Sequence, residues 1–147
     1  DVVLSVASGN PIERVVRRLE GVVQFEQQVQ FDTLTWGKRL VGESTGMPPF
    51  KIALFELFDD PFVQSQFQRR RRMFSTQIQR ETWLPTPEDV VVQKLRWGRS
   101  KDLDDARDVL AVQGPETLDM PYIEKWCALH GTVPRLLEAL AGIPPLD

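Results

Sequence analysis

The sequence holds one cysteine, Cys127, one histidine, His130, and one tyrosine in 147 residues. A lone thiol excludes an intrachain disulfide and suits a reducing compartment. Cys127 and His130 fall one turn apart in a helical pattern whose apolar face runs through Trp126. That placement argues against a Cys-His or Ser-His-Asp catalytic pair. His130 directly precedes Gly131 and is expected to cap a helix C-terminus rather than act as a general base. No apolar run approaches the roughly 20 residues needed to span a bilayer, and no signal peptide is visible. These absences predict a cytoplasmic chain with no membrane partner. Lys and Arg number 18 against 21 Asp and Glu, a net charge of −3, which argues against nucleic acid as the main partner. There is no internal repeat, no low-complexity tract and no EF-hand spacing.

What remains is ordinary globular composition, 41% hydrophobic and 27% charged, in a chain long enough to bury a core. The clearest stretch is Leu84 to Leu110, LPTPEDVVVQKLRWGRSKDLDDARDVL. Thr86 is a predicted N-cap with Pro87 at N1 and two carboxylates in the first turn, where they favour the positive end of the helix dipole. Val90, Val91, Val92 and Leu95 supply the apolar face, and Gly98 ends the helix. Ser100 is the predicted cap of the next helix, with Leu103, Ala106 and Leu110 at helical spacing.

Upstream, Val2 to Ala7 reads as a strand. Asn10 and Pro11 open a helix whose Ile12, Val15, Val16 and Leu19 form one stripe. Residues 22 to 31 suggest a strand with an irregular start. Asp32 to Leu40 is assigned a short helix, and Gly42 to Pro49 a loop or hairpin tip. Phe50 to Phe58 is the strongest strand. Asp60 caps a helix that ends in Arg69-Arg70-Arg71-Arg72. Residues 73 to 84 alternate with strand period. Asp119 to His130 forms a helix with Tyr122, Ile123, Trp126 and Cys127 inward. Thr132 caps the last helix, with Val133, Leu136, Leu137 and Leu140 as its stripe. Strand-helix-strand units followed by four helices make an α+β fold with a helical C-terminal half. Residues 1–84 are the sheet portion and 85–147 the helical portion of one domain.

Three segments, DVVLSV, FKIALFELFDDPF and TPEDVVVQKLRW with RSKDLDDARDVLAVQG and LDMPYIEKW, resemble the minimal nucleotidyltransferase superfamily. The likeness is to bacterial nucleotidyltransferase-like proteins related to antitoxin components. It implies a mixed β-sheet flanked by helices. It also implies an ancestral chemistry, in which three carboxylates hold Mg²⁺ and orient a nucleoside triphosphate. Carboxylate oxygens suit that hard cation. An Asp-x-Asp pair presents two of them on one strand face, and the metal then stabilises the transferring phosphoryl group.

The chain departs from that pattern at the decisive positions. In one register Asp1 takes the seat of the first metal-binding carboxylate and Val3 stands where the second is expected. Shifted by two, Asp1 is the second and the first lies outside this sequence. In either register, Ala53 stands where the third is expected. Glu56 lies an odd number of residues from Ala53, so it cannot replace it on a regular strand without a bulge. The resemblance also implies a Gly-Ser nucleotide-binding loop before the first strand, so a segment upstream of Asp1 is expected. The reading is a nucleotidyltransferase-fold protein with a degenerate metal site, a pseudoenzyme that binds a nucleotide or a protein partner of toxin–antitoxin type. The alternative is an active Mg²⁺-dependent enzyme completed by upstream residues, with Glu56 or Asp59 recruited as ligand. No catalytic residue is assigned.

Lys94, Arg96 and Arg99 are candidate phosphate-binding residues. Lys94 is also placed to pair with Asp89, Asp102 or Asp105 and so join the two central helices. Asp102, Asp104, Asp105 and Asp108 fit a solvated helix with ion pairs better than a metal site. The Arg69–Arg72 run could grip a phosphate backbone or an acidic partner, but fits a helix C-terminus stabilised by cations. Trp36, Trp83, Trp97 and Trp126 are expected in the core or at an interface.

Overall fold

The computed structural model describes residues 2–5, 11–32, 37–77 and 79–144. Asp1, Asn10 and Trp36, each singled out above, lie outside the described residues. The chain is a mixed α+β protein that divides into two compact units, Asp1–Gln64 and Ser65–Asp147. The division falls inside a helix, and the residues of the Met73–Leu84 stretch belong to the second unit.

The first unit contains β1 (Val2–Leu4), α1 (Pro11–Leu19), β2 (Val23–Phe25), β3 (Gln30–Asp32), β4 (Gly37–Ser44) and β5 (Lys51–Glu56). Its sheet runs β1-β5-β4-β2, with β3 also on β4. β1 is parallel to β5, and the other pairings are antiparallel. A mixed sheet results. The apolar stripe of α1 meets one face of it: Ile12, Leu40 and Leu54 are buried together, with Leu4, Val15, Val16, Phe25 and Ile52 packed around them. Gly42 makes this packing possible. A Cβ there would come within 2.7 Å of the Phe25 ring and 2.8 Å of Val23, so any larger residue would push β2 off β4.

The short helix expected over 32–40 is not seen among its described residues: Asp32 ends β3, and Gly37 to Leu40 belong to the central strand β4, while residues 33–36 lie outside the described residues. Arg39 to Glu43 pair with β5 on one side, and both β2 and β3 pair on the other. Hydrogen bonds to three strands outweigh a weak local helix preference.

A helix, α2 (Pro61–Arg69), follows. Asp60 caps it as expected, accepting from the N–H groups of Phe62 and Val63 at 3.0 Å each. The helix stops at Arg69. Arg71 and Arg72 stand on a strand, β6 (Arg71–Ser75), which pairs with β7 (Arg80–Leu84) as a two-stranded ribbon. The arginine run is therefore not a helix end but a helix-to-strand junction.

Four helices complete the second unit: α3 (Pro87–Trp97), α4 (Ser100–Gln113), α5 (Met120–His130) and α6 (Val133–Ala141). Their fully buried side chains include Val91, Val92, Leu95, Leu110, Ile123 and Cys127. Burial also pushes the Cys127 thiol up, and the Glu124 carboxylate adds to this against an opposing hydrogen bond from Thr132. The stripe expected on α6 is only half inward. Leu136 is buried, whereas Leu137 is 61% exposed. Among the described residues, no helix is long and apolar enough to cross a membrane.

Candidate functional site

The two seats named for missing carboxylates lie in the first unit. Val3 stands opposite Phe55 across the parallel β1–β5 pair. Phe55 and Ala53 are two residues apart, so Val3 and Ala53 share one face of adjacent strands. Neither side chain carries an oxygen donor. Glu56 stands opposite Leu4 in unbroken register, on the other face, and no bulge turns it back. These residues do not fit Mg²⁺, which requires oxygen ligands in near-octahedral array. Among the described residues, no group of three or more His, Cys, Asp and Glu comes together to hold a metal.

In the second unit, buried and ion-paired carboxylates stand at both ends of α3. Thr86 is its N-cap, with extended backbone, accepting from the Asp89 N–H at 3.3 Å. The Thr86 hydroxyl in turn donates to Asp89 Oδ2 at 2.8 Å. Asp89 is fully buried. Its other oxygen accepts from the Tyr122 hydroxyl at 2.6 Å, and that hydroxyl lies 3.1 Å from Ser65 Oγ. Arg69 supplies the countercharge, with Nε 3.6 Å from Asp89 and Nη2 3.3 Å from Glu88. Its guanidinium also lies over the Tyr122 ring, 3.9 Å from the centroid.

The titrating groups respond to this environment. Burial, together with the hydrogen bond to anionic Asp89, pushes the Tyr122 hydroxyl up to about 12. It therefore stays protonated and donating. Burial acts to raise Glu88. That effect is outweighed by the Thr86 hydroxyl, the N–H groups of Glu88 and Asp119 and the Arg69 charge, so its carboxyl sits below the usual range.

A second knot lies at the other end of α3. Arg99, not Ser100, is the N-cap of α4. Asp102 at N3 accepts from the Arg99 N–H at 3.3 Å, from Nε at 2.5 Å and from Nη2 at 3.0 Å. The expected cap is displaced because a bidentate guanidinium–carboxylate pair satisfies the helix end from outside it. Lys94 lies 3.5 Å from Asp102 and 2.6 Å from Asp105, and so joins α3 to α4. Asp89, the third partner considered for it, belongs to Arg69 and Tyr122 instead. Asp102 is fully buried rather than solvated. The hydrogen bond from Arg99 holds its carboxyl below the usual range, against burial, with the Arg99 and Lys94 charges adding to the effect.

The three phosphate candidates are thus not one cluster. Lys94 and Arg99 are committed to Asp102 and Asp105. Arg96, two residues on from Lys94, points to another side of the helix. It lines an open concavity with His130 and Arg135. Arg135 went unremarked in the sequence. It lies some 40 positions from the α3 carbonyls it serves, and only tertiary structure brings them together. Its Nη1 donates to Leu95 O at 2.8 Å and Arg96 O at 3.4 Å, satisfying the C-terminus of α3. Gly98 leaves room for it: its φ is +69°, and a Cβ there would meet the Arg135 guanidinium at 2.3 Å.

Compared by sequence, the chain matches no protein-family model and no curated protein.

Asp89→Ala strips the acceptor from Tyr122, Thr86 and Arg69 and is expected to cost about 3 kcal/mol in urea unfolding. Tyr122→Phe, which removes one donor, costs about 1 kcal/mol. Asp102 and Glu88 both contribute to the pH dependence, because each folded carboxyl sits below the ordinary carboxylate range. For Asp102 the stabilisation is present above its unfolded value and is lost as the pH falls through the lower folded one. Urea midpoints at neutral pH and at about pH 3 are expected to differ less in Asp102→Asn than in the parent chain.

Proposed function

We propose that this chain is a nucleotidyltransferase-like module without metal-dependent catalysis, which acts by binding a nucleotide or a protein partner. One observation carries the reading. Val3 and Ala53 share a face of two adjacent strands, at the positions where the resemblance calls for carboxylates, and there they offer only hydrocarbon. A dication gains nothing from aliphatic groups and would lose part of its hydration shell. The acidic residues of the second unit support the same reading. Asp89, Glu88, Asp102 and Asp105 face Arg69, Arg99 and Lys94 within ion-pair distance. Carboxylates held this way resist recruitment by a metal, because each recruitment would break an ion pair of the fold.

The ancestral chemistry would give Mg²⁺ the task of neutralising charge on a transferring phosphoryl group. This chain's residues offer no oxygen at two of the three seats. What remains to such a fold is recognition. A regulatory role beside a partner protein of toxin–antitoxin type, in the cytoplasm, is the setting the resemblance favours.

Calorimetric titration with ATP, in the presence and absence of Mg²⁺, tests this directly. The expected result is the same affinity under both conditions and no pyrophosphate release on incubation with ATP and Mg²⁺. Tight binding that appears only with Mg²⁺ would overturn the reading and restore an active enzyme.

A further inference from the structure

Among the described residues, β6 and β7 pair only with each other, so each strand keeps one open edge. A two-stranded ribbon is marginal on its own in water. The register assigns its two faces. Arg71, Met73, Arg80 and Leu84 lie on one, and Arg72, Phe74, Glu81 and Trp83 on the other. All of these residues are exposed, so neither face is covered. Met73, Phe74 and Trp83 each leave more than half of their surface in water. No backbone group of residues 71–75 bonds outside the ribbon among the described residues.

The charge of the ribbon runs against that of the chain. Residues 70–84 hold four arginines and one acid, Glu81, in a protein with a net charge of −3. Arg70 and Arg72 are engaged. Their guanidinium carbons lie 4.8 and 5.8 Å from the Trp83 ring centroid, and Arg72 also pairs with Glu81 at 2.5 Å. These contacts order the indole in advance, which lowers the cost of binding there. Arg71 and Arg80 share the other face. Neither makes an ion pair or a side-chain hydrogen bond among the described residues.

An open edge invites pairing with another chain. Arginines on β6 oppose pairing of two copies, because both would bring Arg71 and Arg72 into one sheet. The same charges suit a strand that carries acids. A nucleic acid would meet the arginines but not the open N–H and C=O groups, and the net negative chain repels a long polyanion. Arginine, methionine and large aromatic groups are the side chains that protein interfaces favour.

We propose that the open edge of β6 receives an extended acidic segment of a partner protein as a third strand. Backbone hydrogen bonds hold the segment. Its acidic side chains meet Arg71 and Arg80 on one face, and its apolar ones pack beside Phe74 on the other. This names the chemistry of the partner and rests on the protein-binding reading above, but it involves neither metal nor the Val3 face. Magnesium-dependent binding of ATP would overturn that reading's metal claim and leave peptide binding in place. Loss of peptide binding alone would remove this surface.

The test is an amide-resolved NMR titration of the full chain with a short blocked peptide of alternating glutamate and valine. Parallel titrations use the same peptide with lysine for glutamate, and single-stranded oligodeoxythymidine, all at one ionic strength. Saturable shifts and slowed hydrogen exchange at residues 71–75 are expected with the acidic peptide. Arg71→Glu should weaken its binding about tenfold or more, the effect of losing a charge-assisted contact. Lys101→Glu, the same charge change on α4, should leave it unchanged. If Arg71→Glu loses its far-ultraviolet circular dichroism, Arg80→Glu serves in its place, with the same direction expected. Four results would overturn the proposal: no saturable shifts at 71–75, equal binding of the lysine peptide, tighter binding of the oligonucleotide, or self-association of the free chain through β6.

Discussion

The fully buried carboxylate of Asp89 is the constraint on which the helical unit depends. An ionised group out of water is tolerated only if its oxygens are satisfied and its charge is met. Here Thr86, Tyr122 and Arg69 do this together. Each partner comes from a different stretch of chain: the end of α2, the cap of α3 and the first turns of α5. Satisfying one carboxylate therefore fixes three elements. The same logic recurs at Asp102, where Arg99 and Lys94 tie the end of α3 to α4. Between the two knots, α3 buries Val91, Val92 and Leu95 without exposure. The helix is held by hydrocarbon in its middle and by ion pairs at its two ends.

That arrangement bears on function. A chain with many Asp and Glu residues invites a search for metal ligands. In this protein the carboxylates of α3 and of the first turns of α4 are already partnered by the protein's own cations. The face that a nucleotidyltransferase-like fold would use for metal carries Val3 and Ala53. Hydrocarbon thus occupies the face of Val3 and Ala53, and the protein's own cations face the carboxylates of α3 and α4.

Much of this was legible in the residues. The Thr86-Pro87-Glu88-Asp89 start, the left-handed Gly98 end and the Asp60 cap are local signals, and local hydrogen bonds realise them. The strand period over 73 to 84 is realised in two pieces, 73–75 and Arg80–Leu84, with a turn at Thr76 and Gln77 that the alternation does not place. What escaped reading was set by distant partners. The start of β4 reads as helix and its end, from Gly42, as loop, because its strand character comes from three neighbours, not from its own residues. Ser100 lost the cap to Arg99, whose guanidinium closes on Asp102 in a way that propensity does not encode. Arg69 looked like the end of a charged helix, yet its task is to meet Glu88 and Asp89 across some twenty positions. Arg135 serves carbonyls farther away still. At the candidate metal seats the missing donors could be read directly from Val3 and Ala53. Their common face required the β1–β5 register.

The claim at the centre of the account is that these carboxylates answer to the protein's own arginines, lysine and hydroxyls rather than to a dication. A titration of ¹⁵N-labelled protein with Mn²⁺, read by paramagnetic broadening, addresses it most directly. The account predicts weak, diffuse broadening confined to exposed acidic side chains. Selective broadening around Asp89 and Asp102, or at the β1–β5 face beside Val3 and Ala53, at low ratios of Mn²⁺ to protein would contradict it.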